Sequence, residues 1–446
     1  MSAVTTEEDL HRIKQRDPVG EKGLDEISIT GGVPLRGSIR IQGSKNAALP
    51  IMAAALLHHG ISVLKGCPRI TDVFCMEKIL GCLGARTWWE GHDLYLDCEK
   101  ADQWEIPACF SGRMRSSVIL LGALLGRGGR GRIGYPGGCV IGKRPVDMHF
   151  HVLKALGAEI VENGRYIEGI CGRLKGNQVF FEKRSVGATQ QGILAAVLAD
   201  GETFLHNCAT EPEIGWLCCF LKKMGAEIEQ RGEKIRICGV PELGGAVMEI
   251  PPDRIVTGTY IFATAATRGE IIIENPPWGE MDAFLEVYSK MGGQYKGNSG
   301  KLIVNGKTAG LPVELLETEV YPGFPTDLQS PAMAALATVP GRSMIREQIF
   351  EDRFKAAYEM NRMGAHIGIK GKEAVICGGY PLYGTEIHVC ELRGGAALMI
   401  AALAAEGTTR LRGCHFIERG YEHICEDLSL LGAAVIKDTG TAIYEK

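Results

Sequence analysis

No apolar run in this chain reaches the roughly 18 to 20 residues that a membrane span requires, and the N-terminus has no apolar core of a secretory signal. Nor is one sign of charge in excess. Against 49 basic residues stand 53 acidic ones, a net −4, which argues against general electrostatic binding to nucleic acid or to an anionic membrane surface. The 15 cysteines contain no C-x-x-C pair and no framework spacing. Most lie in apolar patterns, the usage a reducing cytoplasm permits, where buried cysteine acts as a small hydrophobe. Cys218-Cys219 and His149-Phe150-His151 have no partners at zinc spacing, so no metal site is expected. A P-loop is excluded because G-x-x-x-x-G-K-[ST] is absent. Gly126-Arg127-Gly128-Gly129-Arg130-Gly131 has the glycines of a dinucleotide fingerprint, but it follows a helix and precedes a strand, the reverse of the required order. A soluble cytoplasmic protein with ample core remains.

What is present is repetition. Leu83-Gly84-Ala85, Leu156-Gly157-Ala158, Met224-Gly225-Ala226, Met291-Gly292-Gly293, Met363-Gly364-Ala365 and Leu431-Gly432-Ala433 follow one another at about 70 residues, the period of a repeat architecture. Before each copy stands a glycine followed by a β-rich stretch: Gly60, Gly131, Gly201, Gly269, Gly341 and Gly407. The third unit shows the grammar. Thr189 to Ala199 reads as an apolar helix, Thr203 to His206 as a strand, Glu211 to Met224 as a second helix, and Ala226 to Ile237 as a hairpin. One such unit cannot bury both helices, so three must pack together. The expected fold class is α/β (α+β): two lobes, each an inside-out α/β barrel of three repeats. Residues 1–25 form a charged extension, 45–252 the first lobe, and 26–44 with 253–446 the second. The chain then crosses between lobes twice, near Gly43 and near Pro251-Pro252-Asp253.

Three segments carry chemistry. Gly134 to Asp147 holds one thiol, Cys139, in a glycine- and proline-rich loop with Lys143 and Arg144 close by, cations that would favour the thiolate. Gly43-Ser44-Lys45-Asn46 opens a helix, where a lysine, an amide and free backbone N–H groups suit an anion or simply a surface turn. Phe324-Pro325-Thr326-Asp327 places a carboxylate at a helix start, either as an N-cap or as a general base. Arg115, Arg353, Arg393 and Arg419 fall in different repeats, and their meaning depends on whether they converge.

In combination and order, G-S-K-N-A-A-L-P, P-G-G-C-V-I-G-K-R-P-V-D, R-S-V-G-A-T, D-R-I-V-T-G-T, F-P-T-D-L-Q, F-E-D-R-F and E-R-G-Y-E closely resemble the UDP-N-acetylglucosamine enolpyruvyl transferases of the EPSP synthase-like superfamily. The resemblance runs from about Leu24 to the C-terminus, nearly the full period count. It implies addition of the sugar 3′-hydroxyl to phosphoenolpyruvate and elimination of phosphate, the first committed step of peptidoglycan synthesis, with no metal or organic cofactor. Carried over by motif, Lys45, Asn46, Arg144, Arg353, Arg393 and Arg419 bind phosphoenolpyruvate. Arg115, Arg144, Pro145, Val146, Asp147, Met148, Lys183, Arg184, Ser185, Val186, Asp327 and Ile349 bind UDP-N-acetylglucosamine. Cys139, Asp327, Lys45 and Arg419 are catalytic, and Cys139 is the thiol that phosphoenolpyruvate or fosfomycin modifies. No nucleic acid or membrane partner is implied, and the protein is expected as a monomer or weak oligomer. Three departures stand out: Phe74, Gly394-Gly395 after Arg393, and the long extension. The rival readings are the sister enzyme acting on shikimate 3-phosphate, a weakened paralogue that binds sugar nucleotide as a regulator, and a cysteine hydrolase built on Cys139.

Overall fold

The computed structural model describes residues 26–137, 141–142, 145–298 and 300–438. Within them the strands form six four-stranded sheets, one per repeat. In the third, Gln178–Phe180 leads to the helix Val186–Ala196, and Glu202–His206 returns parallel to it. The helix Pro212–Lys223 follows. The hairpin Glu227–Arg231 and Lys234–Cys238 then joins antiparallel through its second strand. Three residues are too few to show a period, so the edge strand Gln178–Phe180 is invisible in the pattern.

Every glycine of the recurring tripeptide stands at positive φ: Gly84 at 99°, Gly157 at 95°, Gly225 at 103°, Gly292 at 86°, Gly364 at 100° and Gly432 at 85°. Each ends the second helix of its repeat in a conformation where a Cβ is strained. The other recurring glycines divide. Gly60, Gly201, Gly341 and Gly407 also have positive φ, whereas Gly269 is required by space, since a Cβ there would lie 2.4 Å from the Leu35 carbonyl oxygen.

The first helix of each repeat is rich in apolar residues and buried on nearly every side. These are Lys45–Ala55, Leu120–Gly128 and Val186–Ala196 in one lobe, and Arg254–Ala266, Gln329–Ala337 and Leu392–Ala404 in the other. All 13 residues of Arg254–Ala266 and all 9 of Gln329–Ala337 are buried. A helix of that kind can only lie inside. The second helices, such as Thr71–Cys82 and Pro212–Lys223, keep an exposed face. No helix among the described residues is long and apolar enough to cross a membrane.

Buried hydrophobic side chains form two clusters. One runs from Ala47 to Ile250, the other takes Ile27 to Ile41 together with Ile255 to Ala433. Each ring of repeats is closed by borrowed strands. Val247–Glu249 runs parallel to Ile61–Lys65, and Arg36–Arg40 runs parallel to Glu270–Glu274. Glu26–Thr30 lies between Thr408–Arg412 and Ala434–Asp438. The two crossing segments pair with each other: the Ser44 N–H donates to the Pro251 carbonyl (2.7 Å) and the Asp253 N–H to that of Gln42 (3.0 Å). Asp253 then staples both lobes. Its Oδ1 accepts from the N–H groups of Ile255 and Val256, and its Oδ2 from the N–H of Lys45 at 3.1 Å, so one carboxylate serves an inner helix on each side.

Gly215 and Gly225 test the backbone argument, because nothing lies within 4 Å of a Cβ built at either. Gly215→Ala, inside a helix with ordinary φ, should stabilise by roughly 0.5–1 kcal/mol. Gly225→Ala should destabilise by roughly 1–2 kcal/mol. Urea midpoints that move the same way for both would contradict this.

Candidate active site

The two lobes meet at a buried carboxylate that no motif singles out. Asp72, in the first turn of Thr71–Cys82, is 4% exposed. Lys45 of the first lobe brings its Nζ to 3.3 Å from Oδ2. Arg419 of the second brings its Nε to 2.9 Å from Oδ1 and its Nη2 to 3.4 Å from Oδ2. Burial alone would raise the pKa of Asp72, but the two cations outweigh it and hold the carboxyl below its ordinary value. Burial lowers the pKa of Lys45, and Arg393 and Arg419 add to that against the opposing pull of Asp72 and Asp327.

Asp327 lies in the short turn Thr326–Leu328 ahead of Gln329–Ala337, but it is not a cap: that helix has no side-chain capping bond. Its Oδ1 accepts from Arg353 Nη2 at 2.7 Å, and its Oδ2 from Arg393 Nη2 and Nε at 3.1 and 3.2 Å. Burial pushes this carboxyl up, yet Arg393 and Arg353 hold it well below the usual carboxylate range. Arg353 also donates to the Thr326 hydroxyl at 3.1 Å, which in turn donates to Glu347 at 2.9 Å. The other Glu347 oxygen accepts from the N–H groups of Ile349 and Phe350. Both arginine side chains are only 3% exposed. Even so, Arg353 Nε and Arg393 Nη1 are buried with no well-aligned hydrogen-bond acceptor among the described residues, the Tyr421 side chain standing near the Arg393 guanidinium. A buried donor left unpaired costs about 1–3 kcal/mol, more when charged, so two on neighbouring arginines favour an added acceptor.

Arg393 is the second residue of Leu392–Ala404, and Gly394-Gly395 does not loosen it. Glu391 caps this helix, its carboxylate accepting from the N–H groups of Arg393 and Gly394. A Cβ on residue 394 would lie 2.4 Å from Glu391 Oε1, and one on residue 395 would lie 2.7 Å from both Ile417 and Val389. The glycines make room for the cap and for tight packing.

A family model described as EPSP synthase (3-phosphoshikimate 1-carboxyvinyltransferase) matches residues 29–428. The UDP-N-acetylglucosamine 1-carboxyvinyltransferase 2 of Carboxydothermus hydrogenoformans is 42% identical over 417 residues, covering 92% of this chain and 99% of its own. The UDP-N-acetylglucosamine 1-carboxyvinyltransferase of Koribacter versatilis is also 42% identical, covering 92% and 96%. The chain belongs to the UDP-N-acetylglucosamine 1-carboxyvinyltransferase family. Among solved structures, the enolpyruvyl transferase NikO from Streptomyces tendae matches with a TM-score of 0.84 at 25% identity, covering 93% and 99%. An EPSP synthase from Acinetobacter baumannii matches with 0.71 at 17% identity over 93% and 100%, a likeness of fold.

Of the residues that family membership draws attention to, Lys45, Asp327, Arg353, Arg393 and Arg419 converge. Asn46 is partly buried beside Lys45 at the same helix start. The remaining first-lobe residues gather at three helix starts. Arg115 begins the turn Arg115–Ile119 and donates to the Pro145 carbonyl at 2.9 Å. Val146 precedes Asp147 and Met148, which open the helix Asp147–Ala155. Ser185 caps Val186–Ala196, which packs against it, and Arg184 pairs with Glu233. Lys183 is exposed and Ile349 partly buried. Cys139, Arg144 and the neighbouring Lys143 lie outside the described residues. Next to them, the Ile141 carbonyl accepts the N–H of Asp352 at 3.2 Å, so the first lobe's loop touches the second lobe beside Arg353. Asp72, Asp253, Glu347 and Glu391 are the residues sequence reasoning missed. Asp72, Asp253 and Glu391 stand at helix starts, which reads as an ordinary cap, whereas Glu347 follows the strand Gly341–Arg346 and gave no signal.

Asp327 supplies a pH test. Its folded pKa lies below the ordinary 3.8, so its contribution to stability is complete above that value and is lost as pH falls through the folded pKa. Asp327→Asn should therefore melt well below the wild type at neutral pH, with the gap narrowing once pH drops under about 4. A gap that stays constant across that range in thermal melts would show that the ion pairs do not act as described.

Proposed function

We propose that this chain transfers the enolpyruvyl group of phosphoenolpyruvate to the 3′-hydroxyl of UDP-N-acetylglucosamine and releases phosphate, the entry step of peptidoglycan synthesis. The observation that carries this reading is the pair of unpartnered donors on Arg353 and Arg393. They belong to a set of four cations, Lys45, Arg353, Arg393 and Arg419, which among the described residues pair with the carboxylates Asp72 and Asp327. Phosphoenolpyruvate brings a carboxylate and a phosphate, which is the charge the set lacks. Arg353 and Arg393 suit the carboxylate through forked guanidinium contacts. Lys45 and Arg419 suit the phosphate, joined in this reading by Asn46 and Arg144.

The same contacts suggest how the base is switched. While both arginines hold Asp327, its carboxylate is a weak proton acceptor. When the substrate carboxylate takes their donors, Asp327 loses positive neighbours and its pKa rises towards the ordinary range. It can then take the proton of the sugar hydroxyl as that oxygen adds to C2. Cys139 gives a proton to the methylene carbon, and the tetrahedral adduct forms. The Cys139 thiolate takes back a methyl proton as phosphate departs from C2, which leaves the enolpyruvyl ether. Arg115, Pro145 to Met148 and Lys183 to Val186 would seat the nucleotide sugar on the first lobe, with Asp327 and Ile349 meeting it from the second. Halves 45–252 and 26–44 with 253–446 would close about the paired crossing segments, excluding water from a cationic intermediate.

Phosphate release should require phosphoenolpyruvate and UDP-N-acetylglucosamine together. Release with shikimate 3-phosphate instead would favour the sister activity, and no release with either would favour a sugar-nucleotide-binding regulator. Fosfomycin should inactivate the protein with added mass on Cys139, and Cys139→Asp should abolish the labelling; labelling that persists would show the wrong thiol was chosen.

A third expectation concerns Lys45, which must be charged to hold an anion. Since burial lowers its pKa below 10.5, kcat/KM for phosphoenolpyruvate should fall on an alkaline limb as pH rises through that lowered value. Asp72→Asn removes the partner that holds the charge, and should move this limb down by roughly 1–3 pH units. An unmoved limb would assign it to another group.

A further inference from the structure

Outside the cationic cluster, two imidazoles and a carboxylate face one another across the lobe boundary. His92 belongs to the first lobe, in the turn between Arg86–Glu90 and Asp93–Asp97. Glu422 and His423 belong to the second, between Cys414–Arg419 and Ile424–Leu430. His92 Nε2 lies 2.9 Å from Glu422 Oε1, and His423 Nε2 lies 3.4 Å from the same oxygen. All three donor atoms fall within 4.8 Å of one another. We infer that His92, Glu422 and His423 form a transition-metal site that ties the two lobes together.

The donor set is right for the ion. Two imidazoles and one carboxylate suit Zn²⁺, Co²⁺ or Ni²⁺. Bonds of about 2.0–2.2 Å in a tetrahedral shell put donors roughly 3.3 Å apart. The two measured separations bracket that value, and the third distance closes by small rotations of exposed rings. The frame is fixed where it needs to be. The Glu422 side chain is 5% exposed, its N–H donates to Gln42 Oε1 at 2.8 Å, and Gln42 Nε2 donates to the Gly420 carbonyl at 3.1 Å. The His92 carbonyl accepts the Cys67 N–H at 2.8 Å, and Asp93 accepts that of Gly66 at 3.2 Å. The imidazoles are 55% and 58% exposed, so an ion can arrive from solvent and a fourth position stays open. A simple interlobe hydrogen bond would need only His92 and Glu422; His423 on the same oxygen is what completes a ligand set. Glu422 stands three residues after Arg419, which holds Asp72 from the same side of the boundary. A bound ion would therefore clamp the lobes beside the site and slow their opening.

Titration of the full chain with Co²⁺ should show one ion per chain with tetrahedral d–d bands and no thiolate-to-cobalt charge-transfer band. His92→Ala and His423→Ala should each weaken binding by at least about tenfold. Zn²⁺ at saturating concentration should slow phosphate release by the wild type and leave His92→Ala unaffected. Equal affinity in the His92→Ala/His423→Ala double variant, or a thiolate band, would overturn the site. Equal slowing of wild type and His92→Ala by Zn²⁺ would overturn its action between the lobes.

Discussion

One carboxylate, Asp72, joins the molecule's two halves at the candidate site. Lys45 reaches it from the helix that opens the first lobe's core, and Arg419 reaches it from the last repeat of the second. Taking both cations away would leave a buried charge uncompensated, a loss of about 3–5 kcal/mol. Within reach, Asp327 does the same for Arg353 and Arg393. The two clusters interact: the charge state of Lys45 responds to Arg393 and Asp327 as well as to its own partner. The outcome is a buried region where four cations, Lys45, Arg353, Arg393 and Arg419, converge on two shared carboxylates.

The architecture supplies this convergence. Inner helices are enclosed by their own sheets and by each other, and the charged residues they carry sit at or next to their ends. Lys45 begins one, Asp327 immediately precedes another by a short turn, and Arg393 is second in a third. Their unsatisfied N–H groups and dipoles add positive potential at the same ends. Carboxylates at Asp253 and Glu391 spend themselves on backbone N–H groups, leaving the arginines to other acceptors. A fold that buries helices in this way gathers its charged side chains at their N-termini.

Much of the architecture was legible in the chain. Six glycines forced into positive φ mark the repeats, and a glycine in such a place cannot be disguised by drift in the surrounding residues. The residues that bind motifs together were harder to see. Asp72 sits 27 residues from Lys45 and 347 from Arg419, and no spacing rule connects groups brought together by two separate lobes. Asp327 reads as a helix cap until its arginine partners, 26 and 66 residues onward, are placed. His92 and Glu422 are 330 apart. Periodicity reports what each unit does by itself; long-range charge pairing is settled only by how the rings of units close.

The central claim is that Asp327 and an incoming substrate carboxylate compete for the same two arginines. Equilibrium binding of phosphoenolpyruvate to folded Asp327→Ala, measured calorimetrically in the presence of UDP-N-acetylglucosamine, tests this most directly. Removing the competing carboxylate should tighten binding relative to the wild type even as turnover is lost. Equal or weaker binding by a variant that remains folded would contradict the account.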